Sequence, residues 1–190
     1  MEHRRGKERT TDDDEVVARI RGGDPASYGT LVDRYTALAH RTAYLLGAGH
    51  EAEDVVQEAF VKAFRALPSF RGGASFRAWL LRIVANETHN LVRSRRRRTA
   101  TELRAASLEP VRDGDPAVRA MPDTALLAAV RALPEKNRAV VICRYFLDLT
   151  EGETAEVLGC PRGSVKSRAH RAFARLRELL AEPDKEAVGD

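Results

Sequence analysis

Two runs of cations are where this sequence could do chemistry. The first is Arg93, Arg95, Arg96, Arg97 and Arg98, and the second spreads over Arg162, Lys166, Arg168, Arg171, Arg175 and Arg177. A guanidinium donates as a fork to phosphate oxygens or a guanine edge, and an ammonium holds phosphate as a point charge. Arg82, Asn86, His89 and Arg93 recur every three or four residues, so on a helix they share one face. Asn86 is the neutral member, able both to donate to and to accept from a base edge. A single basic cluster also suits a solvated, salt-bridged face. Two clusters on separate helical units suggest a polyanion partner. The net charge is only +4 over 190 residues, so it is the placement of charge that carries this reading.

Catalytic and metal chemistry find little to work with. Cys143 and Cys160 stand in unrelated contexts with no CxxC, and His3, His40, His50, His89 and His170 are scattered without zinc-ligand spacing. The densest acidic run, Asp12 to Asp14, lies beside an end expected to be disordered. No catalytic residue, cofactor or metal is therefore expected. No apolar run reaches membrane length and no signal peptide is visible, which predicts a soluble, intracellular chain without a membrane partner. With 43% hydrophobic residues, few aromatics and no recurring strand alternation, the chain reads as all-α with a core of its own.

The cations must be positioned by helices, and the apolar period supplies them. Residues 1–11 are charged and lack apolar anchors, so they are expected to be disordered. A short helix from Asp12 to Arg21 turns Val16, Val17 and Ile20 inward. Asp24-Pro25 opens the next as N-cap and first helical residue, burying Tyr28, Leu31, Val32, Tyr35, Leu38, Ala39, Ala43 and Leu46. The stretch EAEDVVQEAFVKAFRAL places Ala52, Val55, Val56, Ala59, Phe60, Ala63, Phe64 and Leu67 on one stripe, with carboxylates in the first turn where the helix dipole favours them. Asp54, Gln57, Glu58 and Val61 lie opposite that stripe. Val61 fits either a solvated exposed valine or the centre of a protein-binding face. After the loop SFRGGA, Ser75 reads as the N-cap of a helix to Arg98 that buries Phe76, Leu80, Ile83, Val84 and Leu91. These four helices predict a compact bundle over 12–98.

Residues 99–123 differ. Pro110, Pro116, Pro122 and Gly114 interrupt a stretch with few large apolar residues, which predicts a flexible linker. A second helical domain is expected over 124–182, followed by a tail at 183–190. In it, ALLAAVRAL ends at Pro134 and a helix runs from Glu135 to Leu147. Thr150-x-x-Glu153 is a capping box, Gly159 suits a left-handed C-cap, and a last helix from Ser164 buries Val165, Ala169, Ala172, Leu176 and Leu179. A short helix, a glycine turn and a basic helix form either a helix-turn-helix or a helical hairpin with surface arginines. In the first case Lys166, Ser167, His170 and Arg171 occupy the turns such motifs insert in the major groove.

Three stretches carry a resemblance: EDVVQEAFVKAFRAL, SFRGGASFRAWLLRIVAN and LPEKNRAVVICRYFLDLTEGETAEVLGCPRGSVKSRAHRAFARLREL. In order and spacing the chain resembles the extracytoplasmic-function (group IV) sigma factors over about residues 14–98 and 124–180. The resemblance implies a sigma-2 four-helix bundle, a linker and a sigma-4 helix-turn-helix domain. It further implies binding to core RNA polymerase through the β′ clamp helices and the β flap, and recognition of promoter −10 and −35 elements. An anti-sigma factor is a further partner known in the family. Carried over, Asp54, Gln57, Glu58 and Val61 match the face that docks on the clamp helices. Phe70, Arg82, Asn86 and Arg93 fall in the part that captures a flipped −10 base, with Asn86 where that base is read. Trp79 stands at a position that is often mainly structural in the family, so it is expected in the core first and as a stacking partner second. Arg162, Ser164, Lys166, Ser167, Arg168, His170 and Arg171 match positions that touch the −35 element. The sequence departs from the family at Gly152 and Thr154, where relatives have a better helix former and an apolar residue. The resemblance implies a non-catalytic initiation factor. A free-standing repressor or activator would use the same helix-turn-helix without polymerase, and a nucleic-acid enzyme would need a carboxylate or metal cluster.

Overall fold

The computed structural model describes residues 2–70, 75–102 and 124–181, with side chains over 12–70, 75–98 and 125–181. The loop 71–74, nearly all of the expected linker and the expected tail lie outside the described residues. Among the described residues every regular element is helical. The chain divides into two units, Met1–Arg112 and Asp113–Asp190.

The first unit is built from α1 (Glu2–Arg21), α2 (Tyr28–Ala43), α3 (Ala52–Ala66) and α4 (Phe76–Glu102). The expected bundle is present, with two longer ends. α1 starts at Glu2, where the sequence predicts disorder up to residue 11. Straight-chain Glu, Arg and Lys in that stretch lose little rotamer freedom in a helix. α4 runs past Arg98 to Glu102, since no glycine or proline interrupts it before Pro110. Asp24-Pro25 opens a 3₁₀ turn, Pro25–Ser27, before α2 rather than α2 itself. Ser75 caps α4 as expected, its hydroxyl accepting from the Ala78 N–H at 3.4 Å.

Leu31, Leu67, Phe76, Leu80, Leu81 and Val84 are fully buried in this bundle. Burial of each contributes about 1.5–3 kcal/mol before entropy is charged against it. The expected inward stripe of α3 is buried from Ala52 to Ala63 and again at Leu67, with Phe64 the exception: it is 42% exposed, resting on the Tyr28 ring at 4.9 Å. Charged side chains stitch the helices together. Asp13 is 2% exposed and accepts hydrogen bonds from the Tyr35 hydroxyl and the Arg34 guanidinium, joining α1 to α2. The acidic run beside the expected disordered end is thus part of the packed bundle. Burial, with the Asp13 hydrogen bond second, raises the Tyr35 phenol above its ordinary range.

The second unit holds α5 (Thr124–Ala132), α6 (Glu135–Val141), α7 (Glu151–Val157) and α8 (Arg162–Ala181). The helix expected from Glu135 to Leu147 widens into a π-type turn over Ile142–Phe146. Thr150 and Glu153 form the reciprocal capping box of α7, satisfying two amides that a helix start otherwise leaves unbonded. Gly159 ends that element with φ +58°, where an L side chain would be strained. α8 begins two residues earlier than expected, at Arg162 directly after Pro161. Its inner stripe, Val165, Ala172 and Leu176, is buried, and Ala172 and Leu176 join Ala129, Val130, Leu133 and Val141 in one core.

Candidate nucleic-acid interface

The face expected on α4 is present. Arg82, Asn86, His89 and Arg93 are all exposed, spread along about 16 Å of helix axis. The buried Phe76, Leu80 and Val84 hold the opposite side in the core, which fixes the rotation of α4 and so the direction of this face. The arginine run beyond it is not uniform. Arg95 turns back to the first half of the bundle, donating to the carbonyls of Gly47 at 3.3 Å and Ala48 at 2.5 Å and to the Glu51 carboxylate. Arg93, Arg96, Arg97 and Arg98 remain exposed. No local pattern announces the inward turn, because its partners lie more than forty residues away.

Phe70 requires a correction. It is 3% exposed, its ring centroid 5.0 Å from Trp79 and 5.8 Å from Phe76. A phenyl ring enclosed by two aromatics belongs to the core and presents no surface to a base. Trp79, half-buried against Phe70 and Phe76, has the structural place expected of it. The sequence also missed Arg21, whose guanidinium donates to the Leu67 carbonyl at 2.9 Å and to the Phe70 carbonyl. The C-terminus of α1 therefore fixes the backbone just before residue 71.

On α3, Asp54, Gln57 and Glu58 are exposed and Val61 is 44% exposed. The core is closed without Val61. Phe64 stands one turn further along, so the apolar part of this face is larger than sequence reading anticipated; taking Phe64 as core hid it. Lys62 sits beside the face, 3.3 Å from Glu58 and 2.6 Å from Glu87 on α4. The Glu87 hydrogen bond, helped by Glu58 and opposed by desolvation, holds the Lys62 ammonium above its ordinary range.

On α8, Arg162, Lys166, Ser167, His170 and Arg171 are exposed, while Ser164 and Arg168 are half-buried. Ser167 donates to the Ser164 carbonyl at 3.2 Å and Arg171 to the Ser167 carbonyl at 3.2 Å, so part of the donor capacity folds back on the helix. Lys166 lies 4.0 Å from Glu151 of α7. These are flexible exposed contacts, worth little to stability and open to exchange for phosphate. Cys143 is buried, and burial, with the Cys160 charge second, pushes its thiol up to about 12. Among the described residues there is no group of three or more His, Cys, Asp or Glu that could hold a metal ion, and no helix is long and apolar enough to cross a membrane.

Two basic faces and one acidic face with an apolar centre are thus placed on two helical units. The family model for Sigma-70 region 2 matches residues 31–98, and that for Sigma-70 region 4 matches residues 123–176. The chain is 31% identical over 178 residues to the ECF RNA polymerase sigma factor SigW of Bacillus subtilis, covering 87% of this chain and 95% of that relative. It is 35% identical to the ECF RNA polymerase sigma-E factor of Escherichia coli K12, covering 84% and 90%. Among solved structures it is similar to the sigma factor RpoE of Bartonella quintana in complex with the anti-sigma factor NepR. The TM-score is 0.67 at 27% identity, covering 82% of this chain and 97% of that one.

Proposed function

We propose how these surfaces divide the work on one premise: the chain belongs to the ECF RNA polymerase sigma factors, and as an alternative sigma factor it directs promoter-specific transcription initiation. It binds core RNA polymerase and promoter DNA. The exposed α3 face of Asp54, Gln57, Glu58 and Val61 docks on the polymerase clamp helices, with Phe64 extending its apolar centre. An apolar centre inside a polar rim is the usual anatomy of such contacts. The α4 face reads the −10 element through Arg82, Asn86 and Arg93. Extruding a base costs a few kcal/mol, and an amide that bonds the base edge beside cations that hold its phosphates returns part of that cost. Phe70 contributes from beneath, as the core residue on which this end of α4 rests. The α8 face of Arg162, Ser164, Lys166, Ser167, Arg168, His170 and Arg171 reads the −35 element, phosphate contacts setting register and the arginines reading base edges.

The factor performs no chemistry of its own; polymerase supplies the catalysis, and the protein works in the cytoplasm. The observation that carries this reading is the outward placement of all three faces on helices whose other sides are core. An anti-sigma factor, as in the solved complex of RpoE with NepR, would act by covering them, and the exposed Val61 and Phe64 suit such a contact. Run-off transcription with purified core polymerase and genomic promoter fragments tests the function. Defined start sites appear only when the factor is added; specific duplex binding without polymerase and without transcripts would instead indicate a free-standing repressor or activator.

A further inference from the structure

Gly152 is an unexpected residue for the first turn of α7, since glycine is the poorest helix former after proline. The structure gives a reason. A Cβ built at Gly152 would lie 2.8 Å from Nη2, 3.3 Å from Cζ and 3.5 Å from Nε of Arg162, the first residue of α8. The Arg162 guanidinium therefore occupies the space that a side chain at 152 would take. Gly152 has no positive φ to explain it, unlike Gly159, and the capping box already supplies the helix start. Close approach by another group is the remaining use of a glycine. Among the described residues, Lys166 pairs with Glu151 and Arg175 with Glu178. Arg162 is exposed, with the end of its side chain resting against Gly152 of α7.

We propose that Gly152 is a positioning residue for −35 recognition: by leaving room against α7, it seats the Arg162 guanidinium at the start of the recognition helix and so sets base preference there. The inference rests on the reading of α8 as the −35 helix. N-terminal residues of such helices are the ones that reach base edges, and a bidentate arginine discriminates only when its fork is correctly oriented. Gly152→Ala separates this role from folding. Alanine favours the helix, and the atoms it displaces are the far end of a flexible side chain, so the fold is kept while the guanidinium must leave.

The test uses holoenzyme reconstituted from core polymerase and the full chain, on a mapped promoter whose −35 element is randomised, with transcripts sequenced. Arg162→Ala is expected to lower discrimination at one position by about five- to a hundredfold. Gly152→Ala is expected to lower it at the same position, with a thermal midpoint at or above that of wild type. The double variant is expected to match Arg162→Ala alone, since the two act through one contact. A residue acting only on helix stability would scale all promoters alike. Altered preference in Arg162→Ala with none in Gly152→Ala, or additive effects at different positions, overturns the inference alone. Wild-type preference in Arg162→Ala overturns both the inference and the placement of Arg162 at the DNA.

Discussion

In the first unit, cations divide between two tasks. Arg34 and Arg95 turn inward onto carboxylates and carbonyls of neighbouring helices, and Lys62 bridges α3 to α4, while Arg82 and Arg93 stay outside. In the second unit Lys166, Arg171 and Arg175 lie on the outer side of α8, contacting Glu151 of α7, Glu178 or the helix backbone, while Arg168 is half-buried and Arg162 rests against Gly152 of α7. Period alone assigns α8, because its inner stripe is apolar throughout. In the four-helix unit, a cation's neighbours in space decide whether it braces the fold or remains free for a polyanion.

The first way to break this comparison is at Asp13. Its carboxylate sits among Tyr35 and Arg34, so Asp13→Ala leaves the buried Tyr35 phenol without its acceptor and Arg34 with Asp12 alone of its two carboxylates. The expected loss is about 3 kcal/mol in denaturant unfolding, against less than about 0.5 kcal/mol for the exposed Asp54→Ala. Equal small losses would show that the α1 staple does not brace the bundle. A sharper form compares two nearby arginines. Arg95→Ala is expected to cost about 1–2 kcal/mol of stability through its lost charge-assisted hydrogen bonds. Arg93→Ala is expected to leave stability unchanged while lowering the salt slope of promoter binding by about 0.7–0.9. If the two variants behave alike in both assays, the inward–outward division is wrong.

These residues also show what could be seen in advance. The helices of both units, the Ser75 and Thr150 caps, the glycine turn at Gly159 and the exposure of Asp54, Gln57, Glu58, Val61 and Asn86 follow from period and cap chemistry, which are local. Phe64 fits the buried period of α3, yet it touches Tyr28 on one side and stays 42% exposed, which period does not encode. Phe70 was assigned to DNA by resemblance, whereas Phe76 and Trp79 enclose it. Arg21, Arg95 and Asp13 act across long sequence separations, and no spacing rule encodes those contacts. The fit of Arg162 over Gly152 needed coordinates, although a glycine in a capped helix was a sign that something approached.

The smallest effect expected lies in the second unit, at Thr154. It is fully buried, and among the described residues its hydroxyl has no hydrogen-bond partner. Thr154→Val replaces the hydroxyl with a methyl of similar size, and is expected to stabilise the unit by about 1 kcal/mol, raising the midpoint of its thermal unfolding. A lowered midpoint would show that the hydroxyl is bonded in solution.

The proposed docking makes the outward face of α3 hold polymerase while the core beneath it needs none of those side chains. The direct measurement is holoenzyme assembly by the double variant Gln57→Ala/Val61→Asp, with circular dichroism and thermal unfolding recorded on the same preparation. Binding to core polymerase is expected to be lost while helical content and midpoint stay near wild type, because Val61 is already half in solvent and a central interface contact is commonly worth more than about 1 kcal/mol. A folded double variant that assembles holoenzyme at wild-type affinity, or one whose fold collapses, would contradict it.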